Sequence, residues 1–471
     1  MFSPKKLQII FRGIYKLRSI STTIVRKSDD ISNESVEDIL ATESEYNKEV
    51  DNFMSVKDVH NCLIIQPYVK WGPRKLSITP EEQLEEAIAL VNTLPSWKVV
   101  NTITVPLESL DLKTLFRSGN MEKLSKMIRK DSEISAVFVN ASNLKRVTAK
   151  ILHENFRLPI LDRYRIVMQI LKMHATSKYA KLQVALAELY FIRRKAESNQ
   201  VFVTHDRDTL KLMFQNREQK LKKAINSLRD QRKLLRSKRR KLDYPVVAVV
   251  GYTNAGKTCL IKALTGEDSL QPRDQLFATL DVTVHSGILP SGLEILYVDT
   301  VGFLSDIPTD LIECFIATLE DAILADLILH VEDLSSSCFE YKRDHVLKTI
   351  QNLGKDIGSD DITNKIMSVG NKCDLVKDVK DQQILTVSAK LGIGLDQLRF
   401  NIEKAIMKAT GRRYITIKVP NGGEEIRWLY KEATVVSQHP DETNPQVMKT
   451  NVIITDVKLQ KFKHIFLSRT K

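Results

Sequence analysis

The residues with the clearest chemistry are Gly251-Tyr252-Thr253-Asn254-Ala255-Gly256-Lys257-Thr258. They match a phosphate-loop spacing, two glycines separated by four residues and followed by lysine and a hydroxyl residue. The glycines permit a tight turn in which successive backbone N–H groups converge on phosphate oxygens. Lys257 can reach the β and γ phosphates, and Thr258 can place its hydroxyl on Mg²⁺. An apolar, β-branched run, Val246 to Val250, precedes the loop, and a helix-like stretch opening at Cys259 follows it. The N-terminus of that helix adds a dipole that favours an anion.

A phosphate loop specifies a nucleoside triphosphate without naming its base. Asn371-Lys372-Cys373-Asp374 follows the strand-like Ile366–Val369. The Asp374 carboxylate can accept from N1–H and the exocyclic amine of guanine, a donor pair that adenine lacks. Ser388-Ala389-Lys390, after Ile384–Val387, suits a second wall of that pocket. Asp299-Thr300-Val301-Gly302 closes the strand-like Ile295–Val298. There Asp299 would hold Mg²⁺ through water, and Gly302 would offer its N–H to the γ-phosphate. All four motifs occur in order, each at a strand's C-terminal end, where open α/β sheets bind ligands. The implied ligands are GTP or GDP with Mg²⁺, and the implied chemistry is Mg²⁺-dependent GTP hydrolysis. A glycine turn with unrelated surface Asn and Lys would not produce that order.

These motifs need a frame. At 471 residues the chain has room for about three domains. No apolar run approaches a bilayer span of about 18 residues, so no integral membrane segment is expected. Five widely spaced cysteines suit reduced thiols. The formal charge of +13 is concentrated in two places. Residues 1–28 carry +7 without an acid, and residues 211–241 carry +11. Such local charge reads as contact with nucleic acid or another polyanion.

Residues 1–28 place Leu7, Ile10, Phe11, Ile14 and Leu17 at helical spacing among basic residues, with Ser and Thr following. That composition fits a mitochondrial transit segment and the matrix as destination. Residues 29–57 read as a polar linker. Alternating strand and helix patterns over 58–165 predict an N-terminal α/β domain with at least partly parallel strands. Thr79-Pro80-Glu81-Glu82 is a helix start within it. Residues 166–240 predict a helical hairpin, with one helical pattern from Ile166 to about Lys195. Phe214, Leu221, Leu228 and Leu235 form the apolar stripe of its second arm. That arm is expected to expose Lys220, Lys222, Lys223, Arg229, Arg232, Lys233, Arg236, Lys238, Arg239 and Arg240. Residues 241–410 form the nucleotide-binding α/β domain, and 411–471 a small α+β domain.

Asp274-Gln275-Leu276-Phe277-Ala278-Thr279-Leu280-Asp281 resembles the switch I signature of HflX-type GTPases. The phosphate loop, Asp299–Phe303, the segment Lys181–Leu189 and Leu161-Asp162-Arg163 resemble the same family. The likeness spans roughly residues 60–470, and with the transit-like start it points to the mitochondrial branch. The resemblance implies a P-loop GTPase domain that docks on the ribosomal large subunit and its rRNA. It implies ribosome splitting or large-subunit assembly, with hydrolysis stimulated by the ribosome. By position, Thr279 would meet Mg²⁺ and the γ-phosphate, with Thr283 as the alternative and Phe277 and Ala278 beside it. Asn254 would allow K⁺ near the phosphates. Phe303 stands where many GTPases carry a water-orienting glutamine. The family's glycine-rich hairpin tip is absent from Ala196–Asp206. A different class of function also fits the charge: a regulatory GTP switch whose basic helix meets anionic membrane or other RNA. The sequence leaves the oligomeric state open.

Overall fold

The computed structural model describes residues 39–40, 60–70, 78–108, 114–142, 144–197, 207–241, 243–272, 275–305, 319–358, 362–376, 384–442, 444 and 446–467. The transit segment expected over 1–28, all but two residues of the 29–57 linker and the hairpin tip at 198–206 lie outside the described residues.

The first sheet contains β1 (His60–Val69), β2 (Trp97–Leu107), β3 (Ala136–Val139) and β4 (Ile160–Asp162), in the order β2-β1-β3-β4. All its pairings are parallel. A parallel sheet needs cover on both faces, and alternating residues provide it. Cys62, Ile64 and Phe138 pack with Ala87, Leu90 and Val91 of α1 (Pro80–Thr93). Leu63, Ile65 and Val137 pack with Leu124 of α2 (Ser118–Lys130) and Leu152 of α3 (Arg146–Phe156). The expected helix start is a capping box: Glu82 N donates to the Thr79 hydroxyl (3.3 Å), and Thr79 N donates to the Glu82 carboxylate (3.0 Å).

The helical region holds three helices where the sequence suggested two. α4 (Arg163–His174) leaves β4 directly, capped by Asp162, which accepts from Arg165 N at 3.0 Å. The chain breaks at 175–177 before α5 (Lys178–Glu197) begins. Apolar spacing continues across that break, so periodicity alone could not reveal it. α5 and α6 (Arg207–Lys241) run antiparallel: Arg193 pairs with Glu218 near the tip, and Arg232 lies 3.9 Å over the Tyr179 ring near the base. Phe214 and Leu221 of the predicted stripe are buried.

The second sheet contains β5 (Val246–Gly251), β6 (Thr283–Ile288), β7 (Glu294–Asp299), β8 (Leu327–Asp333), β9 (Ile366–Asn371) and β10 (Leu385–Thr386). Its order is β10-β9-β8-β5-β7-β6, parallel except for β6. Helices α7 (Lys257–Thr265), α8 (Phe339–Asp356) and α9 (Leu395–Ala409) flank it. The C-terminal part is an antiparallel sheet of β11 (Arg412–Pro420), β12 (Thr434–Pro440) and β13 (Val447–Thr455), in the order β11-β13-β12. It carries α10 (Glu424–Glu432) and α11 (Asp456–Phe462).

One apolar cluster joins the first sheet, the hairpin and one face of the second sheet. It includes Phe138, Tyr164, Leu182, Phe214 and Ala248 together with Leu276, Phe277, Leu280, Val301 and Phe303. Residues on either side of the phosphate loop therefore share a core with the hairpin. Among the described residues, no helix is long and apolar enough to cross a membrane.

Candidate nucleotide site

The phosphate loop leaves β5 and enters α7, at the C-terminal edge of the second sheet. Close approach dictates its glycines. A Cβ on Gly251 would lie 2.3 Å from the Val331 carbonyl oxygen, and one on Gly256 would lie 2.3 Å from Asn371 Nδ2. Gly256 also has φ +89°, which L side chains rarely adopt. Asn371 Nδ2 donates to the Ala255 carbonyl (3.0 Å), and Ala389 N donates to Asn371 Oδ1 (3.0 Å). One buried side chain thus ties the phosphate loop to the Ser388-Ala389-Lys390 turn. Lys372, at φ +62°, donates to Asp333 at 2.7 Å. Ser388 is fully buried and accepts from Leu391 N at 3.2 Å.

These elements enclose a cleft of about 440 Å³. Its wall brings together Thr253, Asn254, Gly256, Lys257, Thr258, Cys259, Phe277, Ala278, Thr279 and Gly302 with Asn371, Lys372, Asp374, Ser388, Ala389 and Lys390. Gly251, Tyr252, Ala255, Asp299, Thr300 and Val301 lie outside that wall. Gly251 and Tyr252 offer carbonyls to Lys257, Ala255 accepts from Asn371, and Thr300 donates to the Val249 carbonyl at 2.8 Å. Pro272, Gln275 and Leu375 join the wall without having been assigned a role from the sequence. Gln275 lies within the switch I signature and Leu375 follows the guanine motif, the one signal that could have found them.

Two buried ionisable groups face the place where ions would sit. The Lys257 ammonium donates to the carbonyls of Gly251 (3.3 Å) and Tyr252 (2.9 Å). Burial pulls its pKa down to about 8, with nearby Asp299 opposing the shift. Asp299 is 1% exposed, and burial raises its carboxyl pKa. Asp299 Oδ2 accepts from Thr258 (2.6 Å) and Thr279 (3.2 Å), while Oδ1 has no protein partner among the described residues. A desolvated ammonium asks for an anion, and a half-satisfied buried carboxylate asks for a cation. The two hydroxyls and the carboxylate are hard oxygen donors, and so few protein ligands suit Mg²⁺, which takes the rest from phosphates and water. Thr283 is exposed on β6 and shares a hydrogen bond with His285 (2.8 Å), so Thr279 is the threonine that meets Asp299.

Contacts spread outward from the cleft. Tyr252 donates to Glu86 of α1 (2.7 Å), shares a hydrogen bond with the Ser305 hydroxyl (2.8 Å) and accepts from Ser305 N (2.9 Å). Arg163 of α4 pairs with Glu86 and donates to the Ser305 carbonyl (3.1 Å). Asp281, closing the predicted switch I, accepts from Thr176 (3.2 Å), from Ser177 N (3.1 Å) and from the Ser177 hydroxyl. The break before α5 is therefore its docking point. On α6, Arg229 pairs with Glu320 and Arg236 with Asp321. This corrects the expected basic face at two positions: Arg232 and Arg236 are half-buried, because they pack on Tyr179 and Asp321. Lys220, Lys222, Lys223, Arg229, Lys233 and Lys238 are exposed as expected, with Lys222 paired to Glu218 and Arg229 to Glu320. Lys211 is exposed too, and the side chains of Arg239 and Arg240 are not described.

Sheet order, phosphate loop and guanine-type motifs define a P-loop GTPase. Residues 246–372 match the family described as 50S ribosome-binding GTPase, and residues 81–171 the GTP-binding GTPase N-terminal family. The chain is 40% identical over 430 residues to GTP-binding protein 6 of Xenopus laevis, covering 87% of this chain and 80% of that protein. It is 41% identical over 423 residues to the Homo sapiens protein of the same name, covering 86% and 81%. It is 33% identical over 378 residues to GTPase HflX of Caldanaerobacter subterraneus subsp. tengcongensis, covering 77% and 86%. The chain belongs to the HflX family of GTPases: it binds guanine nucleotides and hydrolyses GTP.

Proposed function

We propose that this GTPase is a switch that docks on the mitochondrial ribosomal large subunit and its rRNA, acting in ribosome splitting or large-subunit assembly. The observation that carries this reading is the set of contacts from both sides of the cleft to the hairpin base and the first sheet. Asp281 holds the start of α5, Tyr252 and Ser305 hold Glu86 and Arg163, and Glu320 and Asp321 hold α6. A change at the phosphates would thereby bias how the hairpin is held. The exposed lysines of α6 supply a surface for RNA phosphates. The family description printed for residues 246–372, 50S ribosome-binding GTPase, supports the same partner. The basic, hydroxyl-rich composition of residues 1–28 supports the matrix as location.

In this reading the division into an N-terminal α/β domain, hairpin, GTPase domain and small C-terminal domain is functional. Lys257 and the loop N–H groups hold the phosphates, the Gly302 N–H meets the γ-phosphate, and Asp374 selects guanine. Ser388, Ala389 and Lys390 form the other side of the base pocket. Thr258, Thr279 and Asp299 would hold Mg²⁺, which neutralises charge on the β and γ phosphates when bound. Asn254, exposed in the cleft wall, would admit K⁺ beside them. The large subunit stimulates hydrolysis, and hydrolysis releases the protein.

Reversal of Lys223, Lys233 and Lys238 to glutamate tests the docking. Sedimentation with purified mitochondrial large subunits should be lost while GDP binding persists. Retained sedimentation would contradict an electrostatic role for this arm.

A further inference from the structure

Hydrolysis requires a group that holds the attacking water, and the residue after Gly302 does not supply one. Phe303 is 8% exposed and packs in the apolar cluster shared with the hairpin. Its backbone is engaged as well: Phe303 N donates to the Gly251 carbonyl (3.1 Å), and Thr253 N donates to the Phe303 carbonyl (2.7 Å). That bridge carries the chain past the cleft with its side chain turned into the core.

Four other polar side chains of the wall are already committed. Thr258 and Thr279 are directed at Asp299, Lys257 at two carbonyls, Asn371 at the phosphate loop and the turn beyond β10. Thr253 differs. It lines the cleft, it is 6% exposed, and its hydroxyl has no hydrogen-bond partner among the described residues. A buried hydroxyl without a partner carries a desolvation cost. Its surroundings indicate what would relieve that cost. A Cβ on Gly302 would lie 2.8 Å from Thr253 Cα and Cγ2 and 3.0 Å from Lys257 Nζ. The Thr253 methyl, Gly302 and Lys257 thus converge on one point, while the Thr253 hydroxyl is buried beside them. A phosphoryl group entering between Lys257 and Gly302 meets that methyl, and rotation about the Thr253 Cα–Cβ bond exchanges the methyl for the hydroxyl, which then faces the phosphoryl group and gains the partner it lacks.

We propose that the Thr253 hydroxyl is a catalytic group that holds the attacking water against the γ-phosphate. It accepts a hydrogen bond from that water and donates a hydrogen bond to a γ-phosphate oxygen, keeping its own proton. The water oxygen bonds to the γ phosphorus, the bond from that phosphorus to the β–γ bridging oxygen breaks, and GDP leaves with the electron pair. One water proton stays on the attacking oxygen and the other passes to a γ-phosphate oxygen, so both end on the released phosphate. The assignment rests on the nucleotide site described above and deepens it.

The test uses the full chain with GTP, Thr253→Val, Thr253→Ser, Gln275→Ala and Lys257→Ala. Thr253→Val keeps the side-chain shape and removes the hydroxyl. It should lower kcat about a hundredfold while GDP affinity and thermal unfolding stay near those of the unaltered chain. It should also weaken GDP with aluminium fluoride relative to GDP alone. Thr253→Ser should restore turnover. Unchanged kcat in Thr253→Val would overturn the proposal, as would a parallel loss of GDP binding, which would make the hydroxyl a ground-state contact. Loss of turnover in Gln275→Ala with full turnover in Thr253→Val would move the role to Gln275. Lys257→Ala separates the two levels: full turnover there would defeat the whole site, whereas its loss beside an active Thr253→Val would defeat only this assignment.

Discussion

Two parallel sheets in this chain present polar side chains at their C-terminal edges, and they do so in opposite ways. At the edge of the first sheet the groups satisfy one another. Gln66 Nε2 donates to Gln83 (2.7 Å), Asn140 Nδ2 donates to Gln66 (2.6 Å), and Arg163 donates to Asn140 (3.1 Å) while pairing with Glu86. A cavity of about 360 Å³ lies there, yet these charges and amides already have partners. At the edge of the second sheet the groups are left short: Lys257 is desolvated, and Asp299 Oδ1 and the Thr253 hydroxyl lack protein partners among the described residues. Unsatisfied burial marks the place prepared for a ligand, and closed pairing marks a joint. The joint reaches the ligand site, because Arg163 and Glu86 hold Ser305 and Tyr252.

Three substitutions can break or sharpen that contrast. Lys257→Ala has the largest expected effect. It removes the cation that the phosphates need, and GTP turnover should fall at least about a thousandfold, roughly 4 kcal/mol. Phosphate release in excess GTP measures it, and undiminished release would remove the lysine from the site. Arg163→Met acts on the joint instead. It leaves Glu86 half-buried without its ion pair, which should cost about 3–5 kcal/mol of stability. GDP affinity should hold, since no cleft residue is touched. Chemical unfolding and GDP titration give the two numbers, and a large loss of GDP affinity at unchanged stability would erase the distinction between joint and site. Asp374→Asn is the mildest. Losing the charged acceptor should reduce the preference for GTP over ATP by about 1–3 kcal/mol. An intact preference in competition binding would take guanine selection away from Asp374.

The cleft was legible because its residues act through local backbone geometry. A glycine that must clear Val331 and a lysine at fixed spacing leave the same mark in any chain with this loop. The central strands of both sheets were legible for a related reason, since burial on both faces makes β1, β3, β5 and β8 short apolar runs, as with Cys62 to Ile65. What stayed hidden depends on tertiary partners. At the break at 175–177, Asp281, more than a hundred residues away, takes the Ser177 hydroxyl and N–H, beside a local cap in which Ala180 N donates to the same hydroxyl (3.1 Å). The pairing of exposed Arg229 with Glu320 and the burial of Arg236 against Asp321 stayed hidden because both acids come from a distant segment. β12 and α11 were missed too. β12 carries polar Ser437, Gln438 and His439 in a row, and α11 fully buries Phe462 with Leu459 partly buried beside it, so neither carries a strong period. Tyr252 reads as a loop residue, and only the structure shows its hydroxyl committed to Glu86.

The central claim is that occupancy of the cleft and docking of the basic arm are one event. The most direct test is GTP turnover by the chain lacking residues 1–28, alone and with purified mitochondrial large subunits, at several salt concentrations. Turnover should be slow alone and strongly stimulated by the subunits, and the stimulation should fade as salt screens the lysines of α6. Turnover that the subunits leave unchanged at every salt concentration, with GTP still bound, would contradict the claim.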